Sequence, residues 1–157
     1  MARVTIIGLG NRMRGDDAMG LLALDALAGQ SLGDGIELAQ AADDPIRLID
    51  MLAETDAAIF MDAADMKAAP GTLRVFRDES EWTSVQPLSS IHSMGLQQIV
   101  PMARKLGIQT RVVLVAVQAA DWSFGRQPSP QVLQQLTELK DTVLKEARDA
   151  LEGIDHR

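Results

Sequence analysis

Three side chains with the chemistry of a metal site stand at comparable places along the chain: Asp17, Asp62 and His92. Asp17 is the second acid of the pair in VTIIGLGNRMRGDDAMG (residues 4–20), where a β-branched run ends in a glycine-punctuated turn and opens into helical periodicity. Asp62 follows the apolar run Ala57–Met61, and His92 precedes a helical pattern that stops at Gly107. Two carboxylates and an imidazole supply oxygen and nitrogen donors suited to borderline divalent ions such as nickel or zinc. Three protein ligands also leave positions open for water or substrate. Plainer roles are open to each residue. The acidic pair can cap and charge its helix, Asp62 can bond the turn after it, and His92 can hydrogen-bond a loop. His92 is the one histidine inside the folded pattern, since His156 falls in the tail. Asp43, Asp44 and Asp65 read equally well as solvated loop charges, and Met94 as core filler.

Other chemistries find less support. Gly8-Leu9-Gly10 opens like a dinucleotide fingerprint, but Met13 stands where the third glycine belongs, which predicts a helix unable to pack closely on the strand. Asp16 and Asp17 also occupy the positive end of the helix dipole, so a phosphate would be repelled there by two negative charges that would welcome a metal cation. A net charge of −7 without a basic cluster disfavours nucleic acid. The absence of cysteine excludes thiolate metal sites, disulfides and a cysteine nucleophile. No Gly-x-Ser-x-Gly elbow occurs, so serine hydrolase chemistry is unsupported. No apolar run reaches the ~20 residues that cross a bilayer, and the amino end enters directly into a strand pattern. These features predict a soluble, unexported, cytoplasmic protein with no membrane insertion.

The elements that must position the three residues follow in order. A strand at Arg3–Ile7 and a loop lead to a helix whose stripe Met19, Leu21, Leu22, Leu24, Ala26 and Leu27 stops near Gly29. Ile36–Ala39 reads as a short strand, and Asp44-Pro45 as the N-cap and first residue of a second helix. Ala57–Met61 has the continuous apolar character of a strand covered on both faces, ending at Asp62. Asp65 then falls in a loop and Pro70-Gly71 in a turn. Thr72–Phe76 alternates, and it returns too soon for a crossover helix, so it is expected as an antiparallel edge strand. Glu79–Ser90 shows no period and reads as a surface loop. A third helix is expected from near His92 to Gly107, kinked or broken at Pro101. Arg111–Val117 is a central strand, and Ser129-Pro130 opens a last helix that ends at Gly153. The order β-α-β-α-β-β-α-β-α predicts an α/β fold: three layers, a five-stranded, mostly parallel twisted sheet with one antiparallel edge strand, and helices on both faces. At 157 residues and 46% hydrophobic content the chain suits a single domain over 1–157, with 154–157 as a frayed tail. The carboxyl ends of parallel strands share one edge, so Asp17, Asp62 and His92 can meet there.

With these residues in place, the chain resembles the endopeptidases that mature the large subunit of nickel-iron hydrogenases. The likeness is carried by GLGNRMRGDDAMG (8–20), MDAADMKAAPGTLRV (61–75), SIHSMGL (90–96) and VAVQAADWSFGRQPSPQV (115–132), in the expected order over nearly the whole chain. The resemblance implies metal ligation by Asp17, Asp62 and His92, which would also form the catalytic centre. It further implies a loop shaped by Gly10 and Asn11 around the precursor tail. The implied activity is removal of a carboxy-terminal extension from the precursor of a nickel-iron hydrogenase large subunit once nickel is inserted. That nickel, supplied by the substrate, would be the recognition mark, with zinc or cadmium able to substitute. Two departures from the family pattern stand out: Ala41-Ala42-Asp43-Asp44-Pro45 replaces a glycine-rich turn, and Arg12 replaces a proline or small residue. The alternatives are a non-catalytic nickel-binding escort or assembly protein for hydrogenase maturation, and a nucleotide-binding α/β domain.

Overall fold

A computed structural model describes residues 2–88 and 95–155, without the side chains of 83, 84 and 155. The strands are β1 (Val4–Gly8), β2 (Ile36–Gln40), β3 (Ala57–Asp65), β4 (Leu73–Phe76), β5 (Gln86–Pro87) and β6 (Arg111–Gln118). The helices are α1 (Met19–Ala28), α2 (Pro45–Ala53), α3 (Leu96–Lys105), α4 (Pro130–Leu133) and α5 (Leu136–Asp155). Single 3₁₀ turns lie at Gly15–Ala18 and Glu79–Ser84.

The strands lie side by side in the order β2-β1-β3-β6-β4, and β5 adds to β3. β1 runs parallel to β2 and β3, and β3 parallel to β6; β4 runs antiparallel to β6, as its short connection requires, and β5 antiparallel to β3. Alternation along the strands divides the apolar side chains between two cores. Ile6, Ile59, Met61, Val113 and Val115 pack with α1 and α5 on one face. Ile7, Ala58, Phe60, Val112 and Leu114 pack with α2 and α3 on the other. Residues on both sides of β3 and β6 are therefore buried, which accounts for their unbroken apolar runs. Among the described residues no helix is long and apolar enough to cross a membrane.

Several expectations need correction. β3 does not end at Asp62 but runs on to Asp65, because β6 stays in register as far as Ala64 opposite Gln118 and β5 pairs with Ala64 and Asp65. A carboxylate does not end a strand whose neighbour still offers backbone partners. The segment Glu79–Ser90, expected as surface loop, holds a 3₁₀ turn closed by a reciprocal Asp78–Glu81 capping box and the strand β5, and it buries Trp82, Val85 and Leu88. α3 begins at Leu96 with Gly95 as N-cap, and His92 lies outside the described residues. Pro101 does not break α3, since a single missing N–H is outweighed by the buried face of Leu96, Ile99, Val100 and Ala103. The last helix is two, α4 and α5, and α5 passes through Gly153 to Asp155, so residues 154 and 155 are helical rather than frayed. Ile154 packs against the first core.

The approach of α1 to the sheet corrects the expectation drawn from Met13. Gly20, in the first turn of α1, sits so close to the sheet that a Cβ there would lie 2.3 Å from the Leu9 carbonyl oxygen and 2.4 Å from that of Met61. A glycine inside the helix permits the contact that the fingerprint motif assigns to the loop. Gly20→Ala is expected to destabilise the fold by about 1–3 kcal/mol, the usual cost of overpacking. Gly29→Ala, where the nearest atom is 3.7 Å from the added carbon, should change little. Urea denaturation of the two variants checks the contrast.

Candidate active site

The loop after β1 folds back on itself before α1 begins. Gly10 adopts φ +134, and a Cβ there would lie 2.0 Å from the Asp17 carbonyl oxygen, so only glycine permits the turn. The Asn11 N–H donates to that same carbonyl at 3.1 Å, and the Asn11 side-chain oxygen accepts from the Met13 N–H at 2.9 Å. The chain then enters the 3₁₀ turn Gly15–Ala18, in which consecutive side chains point about 120° apart. The two acids consequently face different surroundings.

Asp16 is fully buried and makes no contribution to the cavity. Its Oδ2 accepts from the N–H groups of Ala120 (2.7 Å) and Asp121 (3.0 Å) and from the Ser129 hydroxyl (3.0 Å), and its Oδ1 accepts from the Ser129 N–H (2.6 Å). Ser129 holds the N-cap position of α4, but its hydroxyl serves Asp16 instead of the helix. The residue pattern gives both acids the role of charging the helix mouth and the resemblance singles out Asp17, so neither reveals the buried role of Asp16. The available signal was their adjacency, since neighbours in one turn cannot both face a single cleft.

Asp17 and Asp62 line one groove, of about 980 Å³. Its described lining includes Leu9, Gly10 and Asn11 after β1, Ala41–Asp43 after β2, Trp82 and Val85, and the start of α3 at Leu96. β1 stops at Gly8, paired with Met61, so Asp62 is the first residue of β3 beyond the end of its neighbour, on the floor of the groove. Burial pushes the Asp17 carboxyl up to about 6, against opposing pulls from the Arg14 charge and the Asn11 backbone N–H. Burial likewise holds Asp62 well above the usual carboxylate range, and the Asp17 charge raises it further, while the Ala63 backbone lowers it. Asp62 Oδ1 is shielded from solvent and has no hydrogen-bond partner among the described residues.

Two neighbouring buried carboxylates, one oxygen of which has no hydrogen-bond partner among the described residues, form a field that a cation would relieve. The donors are hard oxygens that fit a divalent ion open to further ligands. Among the described residues no group of three His, Cys, Asp or Glu side chains is assembled for a metal. The structure thus brings Asp17 and Asp62 together, whereas His92 belongs to the stretch outside the described residues. Asp65, weighed as a solvated charge, accepts from the Gln118 amide and the Lys67 N–H, and Asp44 caps α2 through the Ile46 N–H.

Comparison with known proteins bears on what this groove is. The family model for hydrogenase maturation proteases matches residues 30–146. The chain belongs to the hydrogenase maturation protease family. It is 28% identical over 138 residues to the hydrogenase expression/formation protein HupD of Thiocapsa roseopersicina, a match covering 85% of this chain and 62% of that protein. It is 30% identical over 122 residues to HupM of Azotobacter chroococcum, covering 75% of this chain and 58% of that one. This hydrogenase maturation protease family member therefore spans about 60% of the length of those relatives. Its fold superposes on that of the hydrogenase maturating endopeptidase HybD from E. coli with a TM-score of 0.82 and 26% identity, over 94% of this chain and 93% of that one.

The raised carboxyls have a consequence for stability. The folded chain binds the Asp17 proton more tightly than the unfolded chain, so the contribution of this group to stability is greatest below 3.8 and falls as pH rises through about 6. Asp62 acts with the same sign. Asp17→Asn and Asp62→Asn are therefore expected to melt several degrees higher than the wild type at neutral pH, at roughly 2–4 °C per kcal/mol for a chain of this size. The advantage should vanish once both acids are protonated. Melting curves across pH test this, and equal melting temperatures at neutral pH would contradict it.

Proposed function

We propose that this chain is the endopeptidase that removes a carboxy-terminal extension from the precursor of a nickel-iron hydrogenase large subunit, acting after nickel has been inserted. The nickel is cargo carried by the substrate, and Asp17, Asp62 and His92 are the ligands that engage it from the side of the protease. The observation that supports this reading is that Asp17 and Asp62 line one groove and that the shielded Oδ1 of Asp62 has no hydrogen-bond partner among the described residues. An arrangement that disfavours its own charges is poised to receive a cation. Family membership supplies the reaction class, and the relatives' names supply the hydrogenase connection.

A bound nickel would polarise the scissile carbonyl and lower the pKa of a coordinated water; zinc or cadmium would offer a similar charge. Within the chain, the groove seats an extended segment against Leu9, Trp82 and Leu96, so that the peptide bond comes to the carboxylate pair. Water adds to the carbonyl carbon and loses a proton to one carboxylate. That proton then passes to the departing amine as the C–N bond breaks, which leaves the carboxylate ready for the next turnover.

Incubation of the purified protein with a nickel-loaded precursor should shorten it by the mass of the extension, and a nickel-free precursor should remain intact. Asp62→Asn should slow cleavage by at least about 10²-fold, the lower range for loss of a positioned general base, while remaining folded and melting higher than the wild type. Intact mass spectrometry follows the cleavage. If the protein binds nickel-loaded precursor without shortening it, the non-catalytic escort reading takes its place. Undiminished cleavage by Asp17→Ala, Asp62→Asn or His92→Ala would remove the proposed centre.

A further inference from the structure

A carboxylate withdrawn from water is a costly way to join two loops, since well-packed apolar side chains would serve for that alone. Asp16 is fully buried. Among the described residues every hydrogen bond it accepts comes from a neutral donor, namely the N–H groups of Ala120, Asp121 and Ser129 and the Ser129 hydroxyl. Both of its oxygens are engaged, so the plane of the carboxylate is fixed along with its place. Hydrophobic contact has no preferred direction, whereas hydrogen bonds to two oxygens at once set one.

The backbone on either side of Asp16 is tied to the same connection between β6 and α4. The Asp16 N–H donates to the Asp121 carbonyl at 2.9 Å, the Gly15 N–H to the Arg126 carbonyl at 3.0 Å, and the Gly125 N–H to the Met13 carbonyl at 2.7 Å. Gly15 adopts φ +49, and a Cβ there would lie 2.5 Å from the Asp121 carbonyl oxygen. Asp17 comes next. Its N–H donates to the Arg14 carbonyl at 2.9 Å, and its own carbonyl accepts from the Asn11 N–H. Three residues further on, Gly20 is pressed against the sheet. The chain is thus held before and after Asp17, and the reach of its carboxylate into the groove is set by those two anchors.

We propose that Asp16, oriented by Ser129, is the positioning residue of the site. It holds the 3₁₀ turn against the connection between β6 and α4, so that the Asp17 carboxylate stands where it and Asp62 can act on one divalent ion and the peptide bond beside it. The inference deepens the proposed function and rests on it for the role of Asp17. Asp16 itself touches neither substrate nor ion. Its effect falls on turnover, because a displaced carboxylate is lost to the transition state while the walls of the groove still bind the precursor.

Ser129→Ala removes one hydrogen bond from Asp16 and leaves every sequence neighbour of Asp17 unaltered. With nickel-loaded precursor it should lower kcat about tenfold at unchanged KM, and Ser129→Thr, which keeps the hydroxyl, should restore kcat. Asp16→Asn has nearly the same shape but turns an amide NH₂ towards N–H donors. It should lower kcat by about 10²-fold, the loss expected when a reacting group is displaced by about 1 Å. A readout independent of cleavage is the carboxyl carbon resonance of Asp17 in the metal-free chain, which should move in Ser129→Ala and return in Ser129→Thr. A role confined to stability would give a lower melting temperature, with kcat of the folded protein unchanged and the Asp17 resonance in place, and that result would overturn the proposal. Equal losses of kcat in Ser129→Ala and Ser129→Thr would do the same. If the wild type does not cleave the precursor, the proteolytic reading fails, and the resonance alone decides whether Asp16 and Ser129 position Asp17. The two serine variants keep the test decisive if Asp16→Asn does not fold.

Discussion

The arrangement of the site depends on one buried carboxylate that takes no part in the proposed chemistry. Asp16 accepts hydrogen bonds from Ala120, Asp121 and Ser129, residues more than a hundred positions away, and so joins the mouth of α1 to the connection between β6 and α4. With both oxygens satisfied, its charge is stabilised by oriented N–H dipoles instead of a countercharge. The 3₁₀ turn that carries Asp16 carries Asp17 as well. Whatever constrains the first acid constrains the direction in which the second points, and loss of those bonds would leave buried donors without acceptors.

Around that fixed point the protein maintains a conflict. Asp17 and Asp62 are both raised by burial, and Asp62 is raised further by its neighbour. Among the described residues neither has an ion pair of the kind found at Arg77–Glu146, where a guanidinium meets the otherwise buried Glu146, although the Arg14 charge partly offsets the rise at Asp17. The contrast is informative, since the fold does pair a buried acid where structure alone is at stake. At the groove it leaves two acids in mutual opposition, an arrangement that weakens the fold and suits a site awaiting charge from outside.

Much of this was legible in the sequence because it follows from local rules. The Asp44-Pro45 cap, the antiparallel return of β4 and the two-faced burial of β3 were readable from residue types and spacing. The convergence of Asp17 and Asp62 followed from the shared edge of parallel strands. What escaped were features decided by distant partners. Trp82, Val85 and Leu88 have no period because they enter the core from a 3₁₀ turn and a two-residue strand. The continuation of β3 past Asp62 depends on β6 and β5, and the close packing of α1 depends on Gly20 meeting two carbonyl groups of other strands and loops. The role of Asp16 required knowing what lies across the fold.

The overrun of β3 beyond β1 separates the groove into parts of unlike stiffness. Its floor at Asp62 is a central strand paired with β6, while its walls are loops, a 3₁₀ turn and a helix start contributed by four separate stretches of chain. Insertions or exchanges in those walls, such as the 41–45 segment, can reshape what is admitted without shifting the floor. Under the proposed function, what enters the groove would be set largely by those walls, while Asp62 would keep its place on the strand and Asp17 would be held by the turn that Asp16 anchors.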